Sequence, residues 1–174
     1  MDIYLTVEEK YLKAVDHLNY GKVTKALKLL NAIITDEPFY ARAHYQLGKL
    51  YYHEINDYQA AGYHFKTCVE LEPSFPDVYY YYLHLLVFLR MEKLAYQVGQ
   101  KALAVPGVNI AAIYNQLGLM TERKKEWNNA IEAYRQAFLE TTYKTEKDNI
   151  EESIERVKAK KHQAKKYNYE LLSN

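Results

Sequence analysis

Apolar residues recur along this chain at the spacing of helix faces, and no stretch alternates with the period of two that a half-buried strand needs. The segment 22–36 is the clearest case: Leu27, Leu30, Ile33 and Ile34 share one face. The helix before it, predicted over 6–20, opens on Thr6-Val-Glu-Glu9. There a hydroxyl can bond forward to the backbone while a carboxylate bonds back to the cap. Gly21 supplies the tight turn between the two, and Pro38 closes the pair. The same alternation of apolar-faced helix and short breaker predicts further helices over 39–55, 57–71, 76–89, 91–104, 109–123 and 126–140. The breaks between them are Asn56-Asp57, Ser74-Phe-Pro76-Asp77 and Pro106-Gly107. No low-complexity linker divides the chain, so one all-α domain over 1–174 is expected.

The helices repeat in pairs. A small residue early in each second helix recurs as Ala26, Ala61, Ala95 and Ala130, at spacings of 35, 34 and 35, and the closing break recurs at Pro38, Pro73 and Pro106. Leu47-Gly48 returns as Leu117-Gly118, 70 residues on, which is two periods. A fixed period in this range is the mark of stacked helical repeats. The pattern resembles the tetratricopeptide repeat (TPR) family, with four repeats at about 7–38, 41–73, 76–106 and 111–143. Repeat four is a close match, with Tyr114, Leu117, Gly118, Trp127, Ala130, Tyr134 and Ala137 at the signature positions; repeat two, with Leu47, Gly48, Tyr51, Ala61 and Phe65, is another. Repeat one has Lys13 where the family has leucine. Repeat three departs most, with Leu83 in place of the small glycine, and looser or shifted packing is expected there. The resemblance implies a right-handed α-solenoid of antiparallel helix pairs, in which first helices line a concave groove and second helices form the outside.

A last helix, predicted over 146–171, leaves the repeat pattern. Ile150, Ile154, Val157 and Ala164 form a narrow apolar stripe on an otherwise charged helix. Stacked repeats expose an apolar edge at each end, and a polar-backed terminal helix covers one. Its acidic residues come early and its basic residues late, which complements the helix dipole.

Composition narrows the function classes. The net charge of +1 gives no general attraction to nucleic acid or anionic lipid, so both are disfavoured as partners. One cysteine, Cys68, rules out an intramolecular disulfide and fits a reducing compartment. With no basic and apolar leader in Met1-Asp-Ile-Tyr-Leu-Thr6 and no membrane-length apolar run, a cytoplasmic location is expected. The six histidines are scattered, with no His-Glu-x-x-His or paired Cys-x-x-Cys, and no glycine-rich phosphate loop occurs. No catalytic constellation, cofactor or metal is therefore expected.

The unusual number is nineteen tyrosines. Those at signature positions, such as Tyr51, Tyr79, Tyr114 and Tyr134, are expected in the core. A helix turns about 100° per residue, so the run 79–82 divides: Tyr79 and Tyr82 pack inward while Tyr80 and Tyr81 face the groove. By the resemblance, the groove is lined by Tyr11, Arg42, Tyr45, Gln46, Lys49, Tyr52, His53, Tyr80, Tyr81, His84, Asn115 and Gln116, among others that include Leu12, Leu119 and Glu122. Tyrosine brings a large apolar face and a hydroxyl at little rotamer cost, which suits it to anchoring a peptide or helix. Chaperone-binding members of the family resemble one another in a clamp for a C-terminal carboxylate. Of the corresponding positions here only Lys49 matches, so no such clamp is expected. The expected function is a scaffold or adaptor that binds a protein partner in a tyrosine-rich groove. The alternative is an assembly subunit that self-associates, or joins a larger complex, through its repeat edges or last helix.

Overall fold

The computed structural model describes residues 5–172, with side chains to residue 165. Helices α1 (Val7–Asn19), α2 (Val23–Asp36), α3 (Ala41–Leu50) and α4 (Tyr58–Leu71) are followed by α5 (Asp77–Phe88) and α6 (Glu92–Leu103). Then come α7 (Ile110–Arg123), α8 (Trp127–Glu140) and α9 (Lys144–Leu172), and no strand occurs among the described residues. Among the described residues, three helix starts are seen closed by side chains. Thr6 and Glu9 form the reciprocal capping box, Asp57 accepts from the Ala60 amide and Asn109 from the Ala112 amide. The third helix differs from its expected form. It is α-helical only to Leu50 and then widens into a π-helical turn over Tyr51–Ile55, which ends on Asn56 in the left-handed region.

Contacts divide the chain into two compact units, one ending at Leu85 and the other beginning at Leu86, with α5 running across the division. Stacked repeats touch mainly their neighbours, so each unit is described by the core of its own helices. In the first unit α1 packs on α2, α2 on α3, and α3 on α4. Its centre is Ala14, Ala26, Leu30, Ile33, Ala43, Leu47 and Leu50. In the second unit α6 packs on α7, α7 on α8, and α8 on α9 around Ala130, Ile131, Tyr134, Ala137, Ile150 and Val157. The apolar stripe of the last helix is thus used: Ile150 and Val157 are buried.

Two sequence periodicities acquire a physical cause. Ala26, Ala61, Ala95 and Ala130 have no exposed surface, because the paired helices approach too closely there for a larger side chain. Gly48 and Gly118 permit the same close approach in the second and fourth pairs. A β-carbon at Gly48 would stand 2.5 Å from the Phe65 ring, and one at Gly118 would stand 2.7 Å from the Tyr134 ring. Leu83, at the glycine position of repeat three, is instead fully buried.

A third periodicity was not anticipated. The turn between the two helices of each pair holds one residue at positive φ: Gly21 at 68°, Asn56 at 60°, Arg90 at 57° and Lys125 at 60°. These positions share the spacing of the alanines, yet only one is glycine. Arginine and lysine there bear a left-handed conformation that costs an L-residue roughly 1–2 kcal/mol.

Candidate functional site

The face of α3 that carries Arg42, Tyr45, Gln46 and Lys49 continues through the π-helical turn to Tyr52 and His53. Helical spacing places these side chains along one side, and the first turns of α5 bring Tyr80, Tyr81 and His84 beside them, all within the first unit. The run 79–82 divides as its geometry requires. Tyr79 and Tyr82 are buried, with the Tyr79 hydroxyl donating to the Pro73 carbonyl at 2.6 Å, while Tyr80 and Tyr81 are half-buried.

The rings form one connected cluster. Tyr45 meets Tyr81 edge-on at 5.9 Å between centroids, and Tyr81 meets Tyr80 at 5.3 Å and His53 at 5.7 Å. Tyr52 lies 5.6 Å from His84, and its hydroxyl is 2.6 Å from the His84 Nδ1. Phe75, from the loop between α4 and α5, closes against Tyr45 at 5.1 Å. Edge-to-face pairs of this kind each add roughly 0.5–1.5 kcal/mol beyond area burial, so the rings reinforce one another's packing. Tyr45 and Tyr52 are only 8% exposed and form its floor; Tyr80, Tyr81, His84 and the exposed His53 form its upper layer. Burial raises the phenol pKa values of Tyr45, Tyr52 and Tyr80, so these hydroxyls stay protonated as donors.

Lys49 sits at the centre. Its ammonium is 5.2 Å from the Tyr45 centroid and 5.1 Å from that of Tyr81. Burial lowers its pKa and the nearby charge of Asp77 partly restores it, but among the described residues Lys49 forms no salt bridge. The outer residues of the face are held more loosely. Arg42 is exposed and 4.0 Å from Glu8, a separation worth little in water, and Gln46 donates to the Tyr11 hydroxyl at 3.4 Å. Asn115 and Gln116 lie on α7 in the second unit, Asn115 exposed and Gln116 buried.

Glu122, expected in the groove lining, is instead buried in the second unit. Its carboxylate accepts from the Tyr134 hydroxyl at 2.9 Å, from Arg156 through two nitrogens at 3.0 and 2.8 Å, and from Lys160 at 2.8 Å. The Arg156 bonds foremost, with those of Lys160 and Tyr134, hold its pKa down to about 2 against the opposing effect of burial. Two of the bases of the last helix thereby fasten α9 to α7.

Sequence reasoning also missed a buried pair in repeat two. His44 and His64 bring their Nδ1 atoms within 3.0 Å, and His44 Nε2 lies 2.9 Å from the Pro38 carbonyl oxygen. Nothing in a separation of 20 residues announces such a pair. Among the described residues no three potential metal ligands stand together, and no helix is long and apolar enough to cross a membrane. The second unit has a different concavity, a groove of about 920 Å³ whose walls include Tyr96 and Gln100 of α6, Leu117 of α7 and Gln136 of α8.

No protein-family model matches the sequence, and no curated protein matches it either. Solved structures do match. MamA (residues 41 to the end) from Desulfovibrio magneticus RS-1 superposes with a TM-score of 0.67 at 20% identity, covering 90% of this chain and 96% of that one. YrrB, described as a TPR protein with an unusual peptide-binding site, gives 0.73 at 19% identity over 90% of this chain and 78% of its own. This chain has the tetratricopeptide-repeat fold. It is an all-α solenoid of antiparallel helix pairs, as the period of its alanines implies. PilW, a type IV pilus biogenesis factor, shares that fold with a TM-score of 0.64 at 15% identity, over 87% of this chain and 77% of PilW.

Proposed function

We propose that the chain is a non-catalytic protein-interaction module, a scaffold or adaptor that binds a peptide or helix of a partner against the aromatic face of its first unit. One observation carries the reading: Tyr80, Tyr81 and His53 are presented, part-exposed, on a floor of packed rings around a lysine without a salt bridge. Such a surface is preorganised, so a ligand gains aromatic contact without first ordering the receptor. The peptide-binding site ascribed to YrrB, which has the same fold, supports the class of ligand. A cytoplasmic setting belongs to this reading, supported by the single buried thiol.

The test is capture from native lysate by the wild type, by Tyr81→Ala and by Tyr96→Ala, the last an equally aromatic change on α6. A partner lost by the first variant and retained by the second supports the aromatic face. Loss by Tyr96→Ala alone moves the interface to the groove of the second unit.

A second reading, self-association, is favoured by one feature of the second unit. Phe138, Leu139 and Ile154 form the apolar part of a groove of about 570 Å³ beside α9, with Leu139 72% exposed. Under it, light scattering shows a mass that rises with concentration in the wild type and not in Leu139→Glu. A concentration-independent monomer removes it.

A further inference from the structure

A lysine placed between two tyrosine faces has satisfied only part of what its charge requires. The Lys49 ammonium lies over the Tyr45 and Tyr81 rings at 5.2 and 5.1 Å, which supplies an attraction from two π faces but no hydrogen-bond acceptor. Most lysines avoid this position by extending into water. The stem of Lys49 cannot easily do so, because it rises from a packed face of α3 and the residue is only partly exposed. Asp77 acts on it through space without forming a salt bridge, and Arg42, two turns earlier, is already turned toward Glu8. The first unit therefore presents one part-buried cation, flanked by aromatic rings and open to an incoming acceptor.

We propose that Lys49 reads an acidic side chain, aspartate or glutamate, within the bound peptide, next to an apolar residue that packs on Tyr80 and Tyr81. This rests on the peptide-binding reading above and adds the chemistry of the ligand. A carboxylate arriving beside Lys49 meets a cation already stripped of part of its water, in surroundings where a charge-assisted hydrogen bond is stronger than at an open surface. The tyrosine rings fix where the ammonium stands, so the acid must occur at a set distance from the apolar anchor. One cation also sets the number: one acidic residue is read, and Asp77 disfavours a second beside it.

The experiment selects a random phage-displayed peptide library on the full chain and measures the affinity of the winning synthetic peptide and of its Asp→Asn or Glu→Gln form. Both are titrated against the wild type and Lys49→Met, which keeps an unbranched apolar side chain at an only partly buried position and so leaves the fold intact. The expected result is a consensus with one acid at fixed spacing from an apolar residue. In the wild type, removing that acid weakens binding about tenfold, the size of one charge-assisted contact. In Lys49→Met, removing the acid changes nothing. A consensus without an acid, or an equal loss from the acid's removal in both proteins, overturns the role of Lys49. If such peptides still need Tyr81, the aromatic face stands without this inference. If no peptide is selected, or none depends on Tyr81, both fall.

Discussion

Acid is expected to destabilise the second repeat through the His44–His64 pair. The Pro38 carbonyl can only accept, so His44 Nε2 carries its proton and donates to it at 2.9 Å. In the tautomer with its proton on Nε2, His44 has a bare Nδ1, which accepts from His64 Nδ1 at 3.0 Å. Tyr51 stacks on His64 with its ring 6° from parallel, and Tyr63 covers both imidazoles edge-on, so neither ring reaches water freely. Burial, with His44 as the second cause, lowers the His64 pKa from 6.5 to about 4. The unfolded chain thus takes up this proton near pH 6.5 while the folded chain does so only near pH 4. Between those values the unfolded state binds more protons, so the contribution is complete above pH 6.5 and declines as pH falls toward 4. At ~1.4 kcal/mol per pKa unit the loss is about 3 kcal/mol, a large share of a typical total stability of roughly 5–15 kcal/mol. Urea denaturation at about pH 7.5 and about pH 4.5 measures most of it, and His64→Phe supplies the control. The variant is less stable at neutral pH by about 1–3 kcal/mol, because His44 Nδ1 loses its donor, but it lacks most of the acid-dependent loss. If His64→Phe loses as much stability on acidification as the wild type, the pair is not the acid-sensitive element and the reasoning is wrong.

Four further outcomes follow from the packing. Gly48→Ala drives a methyl into the Phe65 ring and is expected to lower stability by about 1–3 kcal/mol in denaturant titration, despite the better helix propensity of alanine. Lys125→Gly relieves a left-handed lysine and is expected to raise stability by up to about 1 kcal/mol by the same method. Glu122→Gln weakens the bonds from Arg156 and Lys160, which rehydrate in part, so a cost of about 1–3 kcal/mol and faster amide exchange in α9 are expected. Cys68 is buried with its thiol pKa pushed up to about 12, chiefly by burial, so it should resist alkylation in the folded protein and react once urea unfolds the chain.

What could be read from the sequence was what is local or periodic. The four alanines and the two Leu-Gly pairs repeat because one helix-to-helix contact repeats, so they gave helix pairs, fold and second-helix register together. The division of the tyrosine run into inward Tyr79 and Tyr82 and half-buried Tyr80 and Tyr81 followed from helix rotation alone. Features made by contacts between distant residues were not legible. Glu122 looked like a groove position because its place on α7 resembles one, but its partners Arg156 and Lys160 are more than thirty residues away. The His44–His64 pair has the same cause. Phe75 was passed over because a loop residue between two prolines has no periodic neighbours to place it. The left-handed turn positions carry a compositional sign at Gly21 and in the Asn56-Asp57 break, but none at Arg90 and Lys125.

The central claim is that ligand binding occurs on the aromatic face of α3 and α5. A nitrogen-15 NMR titration of the full chain with the library-selected peptide tests it most directly. Amide shifts are expected to concentrate at Tyr45, Lys49, Tyr52, Tyr80 and Tyr81, with Tyr96, Gln97 and Gln100 on α6 unmoved. Shifts centred on α6 and α8, with the aromatic face silent, would contradict it.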